Sequence, residues 1–404
     1  MIKTVKAPHI LLPKKGVDWS KYAVIACDQY TSNVEYWNKL KEEIGNNVST
    51  LNMIYPEAYL ENTDNEEYIK RINNNISNYL NNKDLVDIGE CFILVERITS
   101  FGVRRLGLVI SIDLENYSFE KNNKALIRAS EATIVERIPP RLSIRKDAEI
   151  ELPHILLLFD DPHKQIIEPL YSKRDKLEKL YDFELNHEGG HIRGYRVDNT
   201  SEVIQKFNDL FFKNNNGLLF IVGDGNHSLA TAKAHWDIIK NTIPEKDREN
   251  HPARYALMEV NNLYDDGIIF EPIHRVMFNV DKDFAQEFRN AFNGNFISFI
   301  YTQLEGKKEL RLPKNAPMAY LQVQTYLDEY LKSHPESKID FIHDEDELVS
   351  VADKNINSVA IAMPALTKED LFSYLANDRV LPRKSFSMGH ANEKRYYLEA
   401  KKIK

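Results

Sequence analysis

The stretch Leu218-Leu219-Phe220-Ile221-Val222 runs into Gly223-Asp224-Gly225-Asn226-His227-Ser228 and is followed by Leu229, Ala232, Trp236 and Ile239 on one helical stripe. A short apolar run, a glycine-containing turn and an amphipathic helix make a strand–turn–helix unit, because only a sheet can bury the first part and the inner face of the third. Such a unit places the chain among the α/β proteins. It also has a chemical consequence. The unpaired N–H groups of the helix's first turn and the positive end of its dipole converge on one point, which suits an anion. Asp224 or Asn226 is positioned to cap the helix, and His227 to bind a ligand or carry a proton. The run has no Lys-Ser/Thr pair of a P-loop, and its spacing is not the G-x-G-x-x-G of a dinucleotide site. The plainer alternative is a capped turn with a structural histidine. Two glycines, Asp, Asn and His gathered where a strand ends favour function, since ligands collect at such strand ends.

Elsewhere the pattern alternates in the same way. Ala23–Cys27, Cys91–Val95, Leu106–Ile110, Ile155–Phe159 and Tyr255–Val260 read as strands, with Phe101-Gly102 joining two of them in a hairpin. Val34–Ile44, the Asn-rich stretch Asn62–Asn82, Ala125–Ile138, Lys173–Leu180 and Ser228–Lys240 read as helices, and Pro139-Pro140 is expected to end the third. Asn186–Gly194 reads as a loop. The expected architecture is mixed α/β: mixed sheets with flanking helices, divided near Asn214-Asn215-Asn216-Gly217 into regions 1–216 and 217–404.

A net charge of -8 over 404 residues argues against a general nucleic-acid partner, whose phosphates need Lys and Arg. The two cysteines, Cys27 and Cys91, lack the neighbours of a zinc ribbon. No apolar run approaches the length of a signal peptide core or a membrane span, so a cytoplasmic protein with a small-molecule substrate is expected, with homo-oligomerisation left open.

Charged residues concentrate between Arg128 and Arg145, where Arg128, Glu131, Glu136, Arg137, Arg141 and Arg145 surround the two prolines. On a helix Glu131 shares a face with Ile127, Ile134 and Ile138. A carboxylate in an apolar stripe either becomes a general base or pairs with Arg128 one turn away. Arg137 and Arg141 are candidates to clamp a polyanion. Asp28 and Asp160 each end an apolar strand, where a magnesium ligand or a turn former is at home. His274-Arg275 follows Pro272, and Lys384 sits in Arg383-Lys384-Ser385, beside a second basic and aromatic run, Lys394-Arg395-Tyr396-Tyr397. The loop His187-Glu188-Gly189-Gly190-His191 reads as a surface turn more readily than as a zinc site.

The run from Ile221 to Ala232 resembles the D-G-H-H-R-x-x-T-A signature of a bacterial and archaeal family of unknown function, DUF ten-fifteen (DUF1015), at Asp224, Gly225, His227, Thr231 and Ala232. Pro272-Ile273-His274-Arg275 is similar to that family's P-T-H-R, and Pro382-Arg383-Lys384-Ser385-Phe386 to its P-x-K-S-T, so the resemblance spans most of the chain. Asn226 stands where the signature has its first His, and Ser228 where it has Arg; the chain looks like a divergent branch. The same signature resembles, by short motif, that of free serine kinases in the ParB/sulfiredoxin-like superfamily, which implies a turn laid against a phosphate chain and a ParB/sulfiredoxin-like core. The resemblance implies phosphoryl transfer to a small hydroxylated metabolite such as serine. ATP, ADP or pyrophosphate would be the donor, with magnesium. Asp224 or Glu131 would take the hydroxyl proton, His227 would orient the transferred group, and Gly223, Gly225, Asn226, Ser228, Arg128, Arg137, Arg141, His274, Arg275 and Lys384 would hold phosphates. The alternatives are a nucleotide-binding regulatory protein and a metal-dependent hydrolase. With the signature's Arg missing, the site is expected to be assembled from distant segments.

Overall fold

The computed structural model describes residues 2–60, 65–377 and 379–404. It has two units. The first comprises Met1–Ala129, Thr133–Ile268 and His390–Lys404, and the second Ser130–Ala132 and Ile269–Gly389.

The first unit is built on one mixed sheet. Its strands are β1 (Val5–Lys6), β2 (Phe92–Ile98), β3 (Arg104–Asp113), β4 (Tyr117–Ser118), β5 (Ile127–Arg128), β6 (Leu156–Phe159), β7 (Lys179–Leu185), β8 (Gly190–Val197), β9 (Phe220–Asp224) and β10 (Tyr255–Asn262). They lie in the order β7-β8-β2-β3-β10-β6-β9-β5-β4, with β1 added against β3. Pairings β6–β10, β9–β5 and β5–β4 are parallel, and the others are antiparallel. Central β6 is buried along its whole length, as a continuous apolar run requires. Its longer helices are α1 (Val34–Ile44), α2 (Asn65–Asn81), α3 (Ile138–Arg145), α4 (Thr200–Asn214) and α5 (Asn226–Ile239). Asn62, from which the Asn-rich stretch was read, lies outside the described residues. Helix α5 buries Leu229, Ala232 and Trp236 against the core cluster, with Ile239 packed at its edge.

The last residues of the chain return to this unit through short antiparallel pairings. Tyr396–Tyr397 pairs with Val24–Ile25, and Lys401–Lys402 with Ile150–Glu151. The position expected to divide the chain, 216/217, falls inside the first unit, because β9 pairs on both sides with strands that precede it.

The second unit has strands β11 (Phe270–Pro272), β12 (His274–Phe278), β13 (Phe296–Thr302), β14 (Gly306–Leu312), β15 (Lys338–Ile342), β16 (Val359–Ile361) and β17 (Phe386–Met388). Five form an antiparallel sheet in the order β14-β13-β16-β12-β15, and β11 pairs with β17 in a separate ribbon. Helices α6 (Phe284–Ala291), α7 (Ala316–Ser333), α8 (Glu345–Asp353) and α9 (Lys368–Ala376) accompany it, and Leu348 and Ala352 of α8 pack on Val276 and Ala360 of the sheet.

Three local expectations are corrected. Ala125–Ile138 is not a helix: Ile127–Arg128 is captured as β5, and α3 starts at Ile138 with Pro139 and Pro140 in its first turn. Proline lacks a donor that the first turn does not use, so the pair opens a helix there and does not end one. Lys173–Leu180 gives only the 3₁₀ turn Arg174–Lys176 before β7 begins, whose buried Tyr181 and Leu185 follow a strand's alternation. Asn186–Gly194 is a hairpin turn and the start of β8, paired with β7.

Candidate functional site

Gly225 determines the shape of the first unit's site. It takes φ +83°, and a Cβ there would stand 3.0 Å from both Cα and Cγ1 of Ile155, so both conformation and space call for glycine. It is also the N-cap of α5, and no side chain caps the helix. The expected cap from Asp224 or Asn226 is not formed. Asp224 Oδ1 instead accepts the Gly225 N–H at 2.9 Å, and Asn226 is already helical. The positive end of the α5 dipole therefore has no carboxylate in its first turn.

His227 Nε2 accepts the Ile134 N–H at 3.3 Å, which leaves Nδ1 as the protonated nitrogen of the neutral ring. Its carbonyl accepts the Thr231 hydroxyl at 2.7 Å. Asp224 Oδ2 lies 3.3 Å from Lys394 Nζ, a cation delivered by the returning C-terminal segment. Ser228 Oγ is 3.0 Å from His154 Nε2.

His154, at the residue before the buried run Ile155–Phe159, is the centre of the cluster. Its Nε2 also lies 3.6 Å from Asp28 Oδ2, and its Nδ1 2.7 Å from the Tyr397 hydroxyl. Tyr397 Oη in turn accepts the Cys27 N–H at 3.2 Å. Burial opposes the charge on His154, but Asp28, Asp224 and Glu57 outweigh it and raise the imidazole above its ordinary value. Asp28 is likewise opposed by burial, yet His154, Gln29 and Lys394 hold it well below the usual carboxylate range. Ser228 and Asp28 address the same ring nitrogen, so the three do not form a Ser-His-Asp relay, in which the acid must bond the other nitrogen. Burial pushes the Cys27 thiol up to about 12, so it is no thiolate nucleophile at neutral pH.

Ser228, His154, Cys27 and Tyr397 line a cavity of about 170 Å³. Two acid–base pairs also face it. Arg141 Nη2 bonds Glu57 Oε1, and Arg145 Nη2 bonds Glu151 Oε2 at 2.6 Å. The rest of its wall is largely aliphatic, from Met53, Ile72, Ile76, Ile144 and Ala232 among others.

The expected site residues are distributed as follows. Asp28, Arg141 and Ser228 stand at the cavity or against His154, with Asp224 beside Lys394. Arg137 is exposed at the start of α3, its carbonyl accepting Arg141 Nη1 at 2.9 Å. Arg128 is buried, with Nε donating to the Ala125 carbonyl at 2.9 Å and Nη2 to that of Gly217 at 3.4 Å. Asp160 is not among the cavity residues; its carbonyl accepts Asn214 Nδ2. Its neighbour Asp161 closes the turn by accepting the N–H groups of Gln165 and Ile166.

Glu131, His274, Arg275 and Lys384 belong to the second unit. Glu131 is not on a helix; it bridges to Leu381, and its carboxylate receives the N–H groups of Lys384, Ser385 and Phe386 at 3.0, 2.9 and 3.5 Å. Successive amides, with Lys384 at φ +57°, form a concave anion nest, here filled by the chain's own carboxylate. Burial raises the Glu131 pKa although these N–H groups pull it down. Arg275 is fully buried, donating to the Ile273 carbonyl and to Gln324 Oε1, with its guanidinium 4.9 Å from the Tyr320 ring centre. His274 Nδ1 accepts the Met363 N–H at 3.0 Å, and burial reinforced by Arg275 lowers its pKa to about 4.

The sequence reading missed His154, Tyr397 and Glu57. Tyr397 and Lys394 had one signal, the cluster of cations and aromatics near the C-terminus. His154 had none beyond its place at the mouth of a strand. For magnesium, the available donors are Asp28 and Asp224. Among the described residues no group of three His, Cys, Asp or Glu side chains is arranged to hold a metal. Asp28 already meets His154 and Asp224 meets Lys394, so a magnesium ion here would depend on substrate phosphates for much of its shell. Among the described residues no helix is long and apolar enough to cross a membrane.

A family model described as "Protein of unknown function (DUF1015)" matches residues 11–403. No curated protein matches. Among solved structures, a conserved hypothetical protein from Pyrococcus furiosus is similar at 11% identity and TM-score 0.34, over 72% of this chain and 90% of that one. SbnI with a C-terminal truncation, from Staphylococcus aureus, is similar at 10% identity and TM-score 0.37, over 70% and 82%. A variant of a free serine kinase in complex with ADP is similar at 9% identity and TM-score 0.39, over 73% and 92%.

Proposed function

The chain belongs to the DUF1015 family of proteins of unknown function, and we propose that it is a phosphotransferase that moves a phosphoryl group from a nucleotide or pyrophosphate to the hydroxyl of a small metabolite. The observation that carries this reading is the N-terminus of α5 beside a cavity. No acidic side chain lies in its first turn, and Ser228 of that turn lines a space bordered by His154 and Arg141. Phosphoryl transfer asks for positioning and charge neutralisation more than for covalent chemistry. The first turn of α5 and the His154 ring would face the phosphate oxygens. Asp224, steadied by Lys394, would accept the proton as the substrate oxygen bonds phosphorus and the donor's bridging P–O bond breaks. Asp28 and Asp224 would share a magnesium ion with the phosphates, and the ion would supply charge neutralisation. His227 would support the turn through its bond to Ile134, a positioning role.

Phosphorus NMR of the full chain with ATP, ADP or pyrophosphate, magnesium and a panel of hydroxylated metabolites tests the reading. A new phosphate-ester resonance that depends on Asp224 is expected. Turnover unaltered in both Asp224→Asn and Asp28→Asn would sink it, as would the absence of any thermal stabilisation by all three donors.

A further inference from the structure

The cavity's wall and its polar groups differ in kind, and the geometry points to a ligand divided in the same way: a small amphiphile with a ring or branched alkyl body and one hydroxyl or phosphate-ester head. This inference rests on the phosphotransferase reading and names its acceptor class. At about 170 Å³ the space is comparable to an engineered apolar cavity of about 150 Å³ that binds benzene. Ile72 and Ile76 of α2, Ile144 of α3 and Ala232 of α5 supply aliphatic surface. The two charged pairs in the wall do not make it a polar site, because Glu57 and Arg141, and Glu151 and Arg145, already neutralise each other. Glu151 is further held by Lys401 at 3.6 Å and by the Leu257 N–H at 2.7 Å. Among the other polar side chains of the wall, the Ser228 hydroxyl and the His154 ring, 3.0 Å apart, are candidates to meet a ligand head.

A free amino acid such as serine would have to compete for charged groups that are already paired, Arg141 with Glu57 and Arg145 with Glu151, at a desolvation cost that one hydroxyl contact does not offset. A ring-bearing alcohol loses no hydrogen bonds on entry beyond those of its hydroxyl, and burying its body is favourable by about 25 cal/mol per Å².

Calorimetric titration of the full chain separates these ligands, using 2-phenylethanol and 2-phenylethyl phosphate against serine and phosphoserine. The ring compounds are expected to bind one to one and at least about tenfold tighter than their serine counterparts, the ratio that burial of one ring supports. Filling the cavity with Ala232→Met should weaken the ring compounds by about tenfold and leave pyrophosphate binding unchanged. Ile144→Phe, at a partly buried position, makes the same test should Ala232→Met fail to melt cooperatively. Serine binding as tightly as 2-phenylethanol overturns the inference, as does unchanged ring affinity in the folded filling variant. Pyrophosphate binding without ring binding overturns this inference and leaves phosphoryl transfer standing; ring binding without turnover of any donor does the reverse.

Discussion

Both units contain a buried histidine and a carboxylate beside charged neighbours, and the two units use them in opposite ways. In the first, His154 faces Asp28, Ser228 and Tyr397 at the wall of a cavity, and its environment favours the cation. In the second, His274 accepts a backbone N–H next to a buried arginine, and its environment favours the neutral ring. Glu131 has its carboxylate filled by three amides, whereas Asp28 has one side-chain amide, Gln29, and an imidazole. Residue type does not separate a site from a scaffold. What separates them is whether the polar groups are consumed by the backbone or presented to a space.

The largest effect should therefore come from the scaffold. Glu131→Ala leaves the amides of Lys384 and of the buried Ser385 without their acceptor. Losing hydrogen bonds to a charged group, with the donors left buried, should cost about 3 kcal/mol. Urea denaturation should show a lower midpoint, with Glu131→Gln recovering roughly half of the loss through its remaining carbonyl oxygen. An unchanged midpoint in Glu131→Ala would mean that the nest does not organise the second unit.

The two histidines give opposite pH signatures. His274 has a folded pKa lowered from 6.5 to about 4, so the unfolded chain binds the extra proton and stability falls as the pH drops between those values. The slope approaches about 1.4 kcal/mol per pH unit in that window. His343 works in the same direction as Arg275, and Asp344 against it. His154 has a folded pKa raised above 6.5, so its contribution is complete below that value and fades as the pH rises through the folded one. Asp28, lowered from 3.8, contributes above that pH and loses its contribution on further acidification. Relative to the parent, His274→Gln should gain stability as the pH falls below 6.5, whereas His154→Gln should lose stability there and close on the parent as the pH rises. Both variants shifting in the same direction on the acid side would break the contrast.

How far each region was legible follows from the range of its contacts. The β9–α5 unit and α1 were readable because each element carries its own periodicity. Ile127, Glu131, Ile134 and Ile138 also fall at helical spacing, yet the pairing of β5 with β9, which no local window shows, decided otherwise, and the two visible prolines open α3 where they were expected to end a helix. Glu131 meets Lys384 across 253 positions, and His154 meets Tyr397 across 243. The arginines between Arg128 and Arg145 read as one clamp, whereas the structure sends Arg128 into backbone carbonyls and only Arg141 and Arg145 to the cavity wall.

Gly225→Ala sharpens the contrast at intermediate size. A side chain at φ +83° is strained, and its Cβ would press on Ile155 at 3.0 Å. The cost should be about 1–2 kcal/mol. The distinctive readout is binding: displacing the first turn of α5 should weaken pyrophosphate by more than the loss of stability alone accounts for. Equal pyrophosphate affinity in the folded fraction would detach the turn from any anion site.

Ser228→Ala should have the smallest effect on stability and the most specific effect on function. The hydroxyl is half-buried at the cavity wall and makes one bond, to a nitrogen that Asp28 also approaches, so His154 keeps a partner when it is removed. The denaturation midpoint should shift by no more than about 0.5 kcal/mol, as for substitutions that leave no buried group unpaired. Binding of a hydroxylated acceptor should weaken by about tenfold, the equivalent of one neutral hydrogen bond lost at a site shielded from water. Set beside Glu131→Ala, this gives a crossed pattern: one substitution lowers stability, and the other lowers affinity at nearly full stability. Should Ser228→Ala lower stability as much as Glu131→Ala does, the first unit's cluster is scaffold as well, and the cavity has no better claim to chemistry than the nest.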